Sequence, residues 1–371
     1  MIYFNYPKQI YLKYKSEINR KISDVLKSGN YINSNELLRF ENSFSKYLKI
    51  KHCIGVGNAT DAIYLSLKAL NIKSGDEIIT VSHTATGTVL GIANTGAKPV
   101  FVDINIDTYN MDTNLIEKKI TKKTKAILVV HLYGQSCSME QLLLIAKKKG
   151  IPVIEDCSQS AGGKYKNKLL GSFGTFGCFS FFPTKNLSCF GDGGLVSCND
   201  NYLSSKIRSM REYGWDKNRN ARYIGINSRL DEIQAAVLNV KLKYLDKDNA
   251  ERRKIAQIYN KEIFNPNIMK PKESIDNYHV YHLYVIRTKN RDNLLNYLKN
   301  NNVLSSIHYK LPVHKQKVYF NSKNSNLKIT EKISKELISL PIYPGLSLQN
   351  QKKVLKLINI QPMLRGLHRP I

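Results

Sequence analysis

Cys178-Phe179-Ser180-Phe181-Phe182-Pro183-Thr184-Lys185-Asn186-Leu187 carries an apolar, strand-like run into a lysine, and Gly191-Asp192-Gly193-Gly194 follows closely. Upstream, Ile151-Pro152-Val153-Ile154-Glu155-Asp156 is a second apolar run, this one ending in acid. Strand-like runs recur at 77–81, 99–103, 125–132, 152–156, 178–182 and 195–198, and helical periods such as 139–149 lie between several of them. Continuous apolar strands alternating with helices predict an α/β fold with a mostly parallel sheet covered on both faces. Ligands of such sheets gather at the carboxyl ends of the strands. Asp156, Ser180 and Lys185 all fall at or just past such ends.

Outward from this core, apolar residues at 230, 233, 237, 240 and 244 keep helical spacing, and Ser228-x-x-Asp231 has the form of a capping box at the start. The expected organisation is an N-terminal segment and large domain over 1–247, left by this helix, and a smaller α+β domain over 248–371. The smaller domain is expected to contain a strand at 280–287 and helices at 291–300 and 329–339. No internal repeat is visible.

The 371 residues suffice for a large core. No apolar stretch approaches the ~20 residues that span a bilayer. Met1–Lys8 lacks a charged region followed by an apolar one, so no secretory signal is expected. Cysteines 53, 137, 157, 178, 189 and 198 form no CxxC pair and read as reduced, buried thiols of a cytoplasmic protein, with no metal site. Lys and Arg number 57 against 29 Asp and Glu, a formal charge of +28. The basic residues are scattered, with no arginine-rich tail or nucleic-acid motif. Solvated helix faces therefore explain them better than a nucleic-acid partner, and part of the charge suits a diphosphate-bearing substrate.

A strand-end aspartate opposite a strand-end lysine suits pyridoxal phosphate. The lysine bonds the aldehyde, and the acid keeps the ring nitrogen protonated so that the ring accepts electrons. A phosphate also needs a cradle. Gly55-Val56-Gly57-Asn58-Ala59-Thr60-Asp61-Ala62 precedes a helix with apolar residues at 63, 67 and 70, and small residues at a helix start let backbone N–H groups approach an anion. Taken alone, this stretch reads more readily as a helix cap by Asn58 or Thr60, and it is the company of Asp156 and Lys185 that makes it fit a phosphate cradle.

The chain resembles the DegT/DnrJ/EryC1/StrS sugar aminotransferases. The matching stretches are Lys51 to Ala62, Gly96 to Asp103, His131-Leu132-Tyr133-Gly134-Gln135, Glu155-Asp156-Cys157-Ser158-Gln159, Pro183 to Leu187, Gly225 to Ala236, Ile307-His308-Tyr309 with His314-x-Gln316, and Ser339 to Pro344. The resemblance implies the aspartate-aminotransferase fold, pyridoxal phosphate fold type I, and a homodimer whose active site lies at the interface. It implies Lys185 as the covalent lysine, Asp156 at the ring nitrogen, Gln159 at the ring hydroxyl, and Ala59, Thr60 and Ser180 at the phosphate. Asn227 would reach the cofactor phosphate of the neighbouring subunit. His308 and Tyr309 would lie near the nucleotide sugar, with Tyr213, Trp215 and Arg222 as further substrate contacts.

Where relatives carry an aromatic residue over the cofactor ring, this chain has Ala85, so His83 is a candidate to cover it, or else a core histidine. A usual glycine is Ser188 here, and another is missing from Tyr31-Ile32-Asn33-Ser34-Asn35-Glu36. The implied reaction takes an amino group, from glutamate by resemblance, to a keto sugar on a nucleoside diphosphate. Asp192 and Arg211-Glu212-Tyr213-Gly214-Trp215 resemble the 3-keto branch acting on dTDP sugars. The 4-keto and UDP-3-keto branches are the alternatives, as is a cofactor-bearing regulator without turnover. The related dehydratases carry histidine at the position of Lys185.

Overall fold

The computed structural model describes residues 1–319 and 326–360. In chain order it contains helices α1 (Pro7–Ser28) and α2 (Asn35–Leu48), strand β1 (His52–Val56), α3 (Ala59–Ala69), β2 (Glu77–Val81), α4 (Thr86–Ala93), β3 (Lys98–Val102), β4 (Thr124–Val130), α5 (Met139–Lys149) and β5 (Val153–Asp156). The short strands β6 (Lys164–Tyr165) and β7 (Lys168–Leu169) precede β8 (Phe176–Ser180), β9 (Gly194–Cys198), α6 (Asn201–Met210), α7 (Glu232–Leu242) and α8 (Leu245–Glu262). Then come β10 (Asn277–Tyr278), β11 (Tyr284–Arg287), α9 (Arg291–Asn300), α10 (Lys328–Ile333), β12 (Leu337–Leu340) and α11 (Leu348–Ile360).

Seven strands form the main sheet in the order β1-β9-β8-β5-β4-β2-β3. All neighbouring pairs from β8 to β3 are parallel, and only β9 runs against its neighbours. The α/β fold with a mostly parallel sheet is therefore as expected. Strands such as β4, with Ala126 to Val130 buried in an unbroken run, are apolar on both faces because helices cover both. Register does the positioning: Asp156 pairs with Val130 on one side and Cys178 on the other, so β4, β5 and β8 open at one edge. The start of β9 crosses beneath the start of α3. A Cβ on Gly194 would lie 2.4 Å from the Asn58 carbonyl carbon, so only glycine permits that approach.

A second apolar cluster gathers Tyr259, Tyr284, Ile286, Leu294, Ile338, Val354 and Ile358 around the antiparallel pair β11–β12, and Ile2 from the chain's start packs into it. Here the structure corrects two expectations. Residues 329–339 are not one helix: α10 stops at Ile333, and Leu337-Ile338-Ser339-Leu340 pairs with β11. The expected strand at 280–287 is shorter, because the N–H groups of Val280 and Leu283 donate to the Gly134 and Tyr133 carbonyls instead of to a strand. The expected capping box is also absent. Helix α7 starts at Glu232, and the Ser228 hydroxyl donates to Asp61 (2.6 Å) while accepting from the Gly57 N–H (2.9 Å).

Both glycine departures find physical substitutes. Asn33 takes the left-handed conformation (φ +51°) in the early loop, which Asn tolerates better than most residues. Ser188 accepts a hydrogen bond from the buried Lys241 ammonium, whose pKa burial lowers to about 8. Among the described residues no helix is long and apolar enough to cross a membrane.

Candidate active site

A cleft of about 250 Å³ opens where β4, β5 and β8 end, closed on one side by the start of α3. Ala59, Thr60, Asp156, Gln159, Ser180 and Lys185 all line it, with Thr84, Ala85, Gly87, Thr88, Ser158, Phe182 and Asp192. Asn58 caps α3 by accepting from the Asp61 N–H (2.8 Å). The N–H groups of Ala59 and Thr60 have no backbone partner among the described residues. They sit at a helix start that favours negative charge, beside the Thr60 and Ser180 hydroxyls.

Lys185 follows β8 in a turn closed by its own N–H donating to the Phe182 carbonyl (2.8 Å). Its amine makes no hydrogen bond or ion pair among the described residues. Part of the side chain is open to the cleft, yet protein surrounds the amine. Burial lowers its pKa from 10.5 to about 8, against the opposing pull of Asp156. Asp156 is buried at the end of β5. Its Oδ1 accepts from the Ser158 N–H (3.0 Å) and its Oδ2 from the Thr88 hydroxyl (2.7 Å). Gln159 accepts from the Tyr133 N–H and donates to the Tyr309 hydroxyl, both at 2.8 Å. The second hydrogen of its amide is left for a ligand.

His308 and Tyr309 reach the same region from the far part of the chain. The His308 ring bonds Ser339 Oγ (2.9 Å), and burial together with the nearby Lys185 lowers its pKa to about 4, so it is neutral. His83 lies elsewhere: it is fully buried behind the wall, its Nε2 2.7 Å from the Tyr133 hydroxyl, which in turn donates to the His308 carbonyl. Burial lowers the His83 pKa to about 3. The lining residue at this point is Ala85.

Tyr213, Trp215, Arg222 and Asn227 belong to a different neighbourhood. Trp215 and Arg222 line a second cleft of about 790 Å³ with Arg208, Lys217, Arg219, Tyr223 and Arg229, against the acids Glu212 and Asp216. Tyr213 packs on Trp215 with ring centroids 4.7 Å apart, Arg219 lies 5.7 Å from the Trp215 ring, and Arg222 pairs with Asp216 at 2.9 Å. Asn227 is exposed and bridges to Glu212.

One cluster has metal-like composition: His131, Glu155 and Cys157 place their ligand atoms within 4.8 Å of one another. Two of these three residues already have their ligand atoms committed. His131 bonds Glu155 through Nε2 (3.0 Å) and accepts from the Cys137 N–H through Nδ1. Glu155 also accepts from the N–H groups of Gly171, Phe173 and Gly174. Burial alone would raise the Glu155 pKa, but the His131 bond and the glycine N–H groups hold it below the usual value. The cluster therefore ties β4 and β5 to the loop before β8. Glu155→Ala leaves several buried donors unpaired and is expected to cost about 3 kcal/mol or more, read as a lower denaturant midpoint.

Thr88 is the site residue that sequence reasoning passed over. The sequence offered little signal for it, because Thr84 lies in the bend before α4 and Thr88 inside the helix, and the fold is what brings the two hydroxyls together beside Asp156.

The family model described as the DegT/DnrJ/EryC1/StrS aminotransferase family matches residues 13–359. The chain is 46% identical over 359 residues to a dTDP-3-amino-3,6-dideoxy-alpha-D-galactopyranose transaminase of Aneurinibacillus thermoaerophilus, covering 97% of this chain and 99% of that protein. It is 42% identical to a pleiotropic regulatory protein of Geobacillus stearothermophilus, covering 94% and 95%. Among solved structures, S. venezuelae DesV in complex with a ketimine intermediate superposes with a TM-score of 0.94 at 36% identity, covering 96% of this chain and 97% of that one.

Proposed function

The chain belongs to the DegT/DnrJ/EryC1/StrS aminotransferase family, and from that premise we propose that it aminates a 3-keto-6-deoxyhexose carried on dTDP. Glutamate is the proposed donor, and pyridoxal phosphate in the strand-end cleft the proposed cofactor. The observation that carries this reading is the pairing of an unbonded Lys185 amine with an Asp156 carboxylate held by two donors.

The residues fit the cofactor. Unpartnered N–H groups at the start of α3, with the Thr60 and Ser180 hydroxyls, suit its phosphate. Asp156 suits the ring nitrogen, and the spare hydrogen of Gln159 suits the ring hydroxyl. When bound, the cofactor supplies an aldehyde that exchanges amines and a ring that takes up the electron pair left by a departing proton. Asp156 opposes a positive charge at the ring nitrogen with a negative one. Lys185, with its pKa lowered to about 8, exists partly as a free amine near neutral pH and can take a proton from the substrate carbon and return one.

The wider cleft supports the nucleotide part of the reading. Lys217, Arg219 and Arg229 lack an acidic partner among the described residues, and Trp215 offers a flat ring, which together suit a diphosphate and its base. In a homodimer, the exposed Asn227 would meet the neighbouring subunit's phosphate cradle.

A direct test incubates the purified protein with glutamate and dTDP-3-keto-6-deoxyhexose, and follows the amino sugar by mass spectrometry. A 3-amino product supports the reading. Turnover only with 4-keto or UDP-linked sugars reassigns the substrate. No turnover despite bound cofactor favours the regulator that the Geobacillus relative's name suggests. The lysine also has a pH signature, because only a neutral amine captures the aldehyde. Capture by cofactor-stripped protein, followed by stopped-flow absorbance, is expected to rise about tenfold per pH unit until near pH 8 and then level off. A lysine with the ordinary value of 10.5 would show no plateau there.

A further inference from the structure

We propose that Thr88, itself oriented by Thr84, is a positioning residue that holds the Asp156 carboxylate toward the cofactor ring nitrogen. The inference rests on the cofactor reading above. Thr84, Thr88 and Asp156 are all buried, at 2%, 3% and 3% exposure. The hydroxyls of Thr84 and Thr88 are 2.8 Å apart, and that of Thr88 is 2.7 Å from Asp156 Oδ2.

Counting hydrogens gives the chain a direction. A hydroxyl has one hydrogen, and an ionised carboxylate only accepts. Thr88 therefore donates to Asp156, and Thr84 must donate to Thr88. On the other oxygen, the Ser158 N–H is a donor that cannot be reversed. Each carboxylate oxygen thus has one protein donor, and lone pairs remain on the cleft side for the ring N–H. Charge-assisted hydrogen bonds of this kind are roughly twice as strong as neutral ones. Thr88 stands on α4 and Asp156 on β5, so the contact also fixes the carboxylate relative to an element that forms the cleft wall.

The functional consequence concerns one proton. With a donor on each oxygen, the Asp156 carboxylate would be held facing the ring nitrogen of a bound cofactor and would favour the ring's protonated form. Without Thr88 that carboxylate would favour the protonated ring less, and the ring would draw electrons less strongly. A lysine-bound cofactor would then be expected to titrate at higher pH.

The test compares Thr88→Val, Thr88→Ser and Thr84→Val with the parent holoenzyme. The readouts are the pH titration of the bound cofactor's near-visible absorption band and the pyridoxal phosphate dissociation constant from equilibrium dialysis. Thr88→Val is expected to weaken cofactor binding about tenfold and to move the band's titration midpoint upward. Thr84→Val is expected to shift it in the same direction by less, and Thr88→Ser to restore the parent values. A parent-like midpoint and affinity in Thr88→Val overturns the proposal. So does a Thr88→Ser variant as impaired as Thr88→Val, because the hydroxyl would then not be the operative group. Failure of the underlying reading looks different: the parent protein itself would show no band with added cofactor.

Discussion

Lys185→Ala is expected to lose the near-visible absorption of lysine-bound cofactor and to slow amino transfer by about 10³-fold or more. Two functions disappear together. The covalent link that pre-activates the aldehyde is gone, and so is the base that moves the proton, a contribution of about 10²–10⁴-fold by itself. The cradle should be little affected, since Ala59, Thr60 and Ser180 line the cleft without a hydrogen bond to the lysine amine among the described residues. The variant should therefore still bind pyridoxal phosphate, only reversibly. A small added amine should restore part of the rate, because truncation leaves room for it beside Asp156. Cofactor lost on dialysis with a rate partly rescued by methylamine supports the assignment. An unchanged spectrum would place the covalent lysine elsewhere.

Asp156→Asn is expected to slow the same reaction by about 10²–10³-fold, the scale on which a single well-placed electrostatic contact acts. The substitution is nearly isosteric but removes the charge opposite the ring nitrogen. It also disturbs the local hydrogen bonds in a definite way. The Ser158 N–H can only donate, so the Asn oxygen must face it, and the amide then faces Thr88, whose hydroxyl has to turn and accept. The loss should fall on kcat, with the KM for the nucleotide sugar little changed, because the proposed sugar and nucleotide contacts lie elsewhere. Equal losses in binding of the sugar and in turnover would point to a collapsed site.

The sequence made the central strands legible because they are buried on both faces and read as unbroken apolar runs. The Lys185 and Asp156 pair was legible for a related reason, since strand ends are where charge can face a ligand. What escaped depended on partners distant in the chain. Leu337 to Leu340 kept helical spacing with the residues before it, and only pairing with β11 made it a strand. Ser228 had the spacing of a cap, but Asp61 and Gly57 claim its hydroxyl from across the domain. His83 looked available beside Ala85, yet in the bend between β2 and α4 its ring is buried against the Tyr133 hydroxyl. The donors of Asp156 were hidden similarly, because Thr88 lies on a helix that only the fold brings to β5.

The most direct test of the account is the absorption spectrum of the purified protein with pyridoxal phosphate, between 300 and 450 nm, before and after glutamate. The expected result is a near-visible band that bleaches as the cofactor takes up the amino group and returns on adding the dTDP-3-keto sugar. A protein that shows no such band with cofactor in excess would contradict the assignment of the cleft.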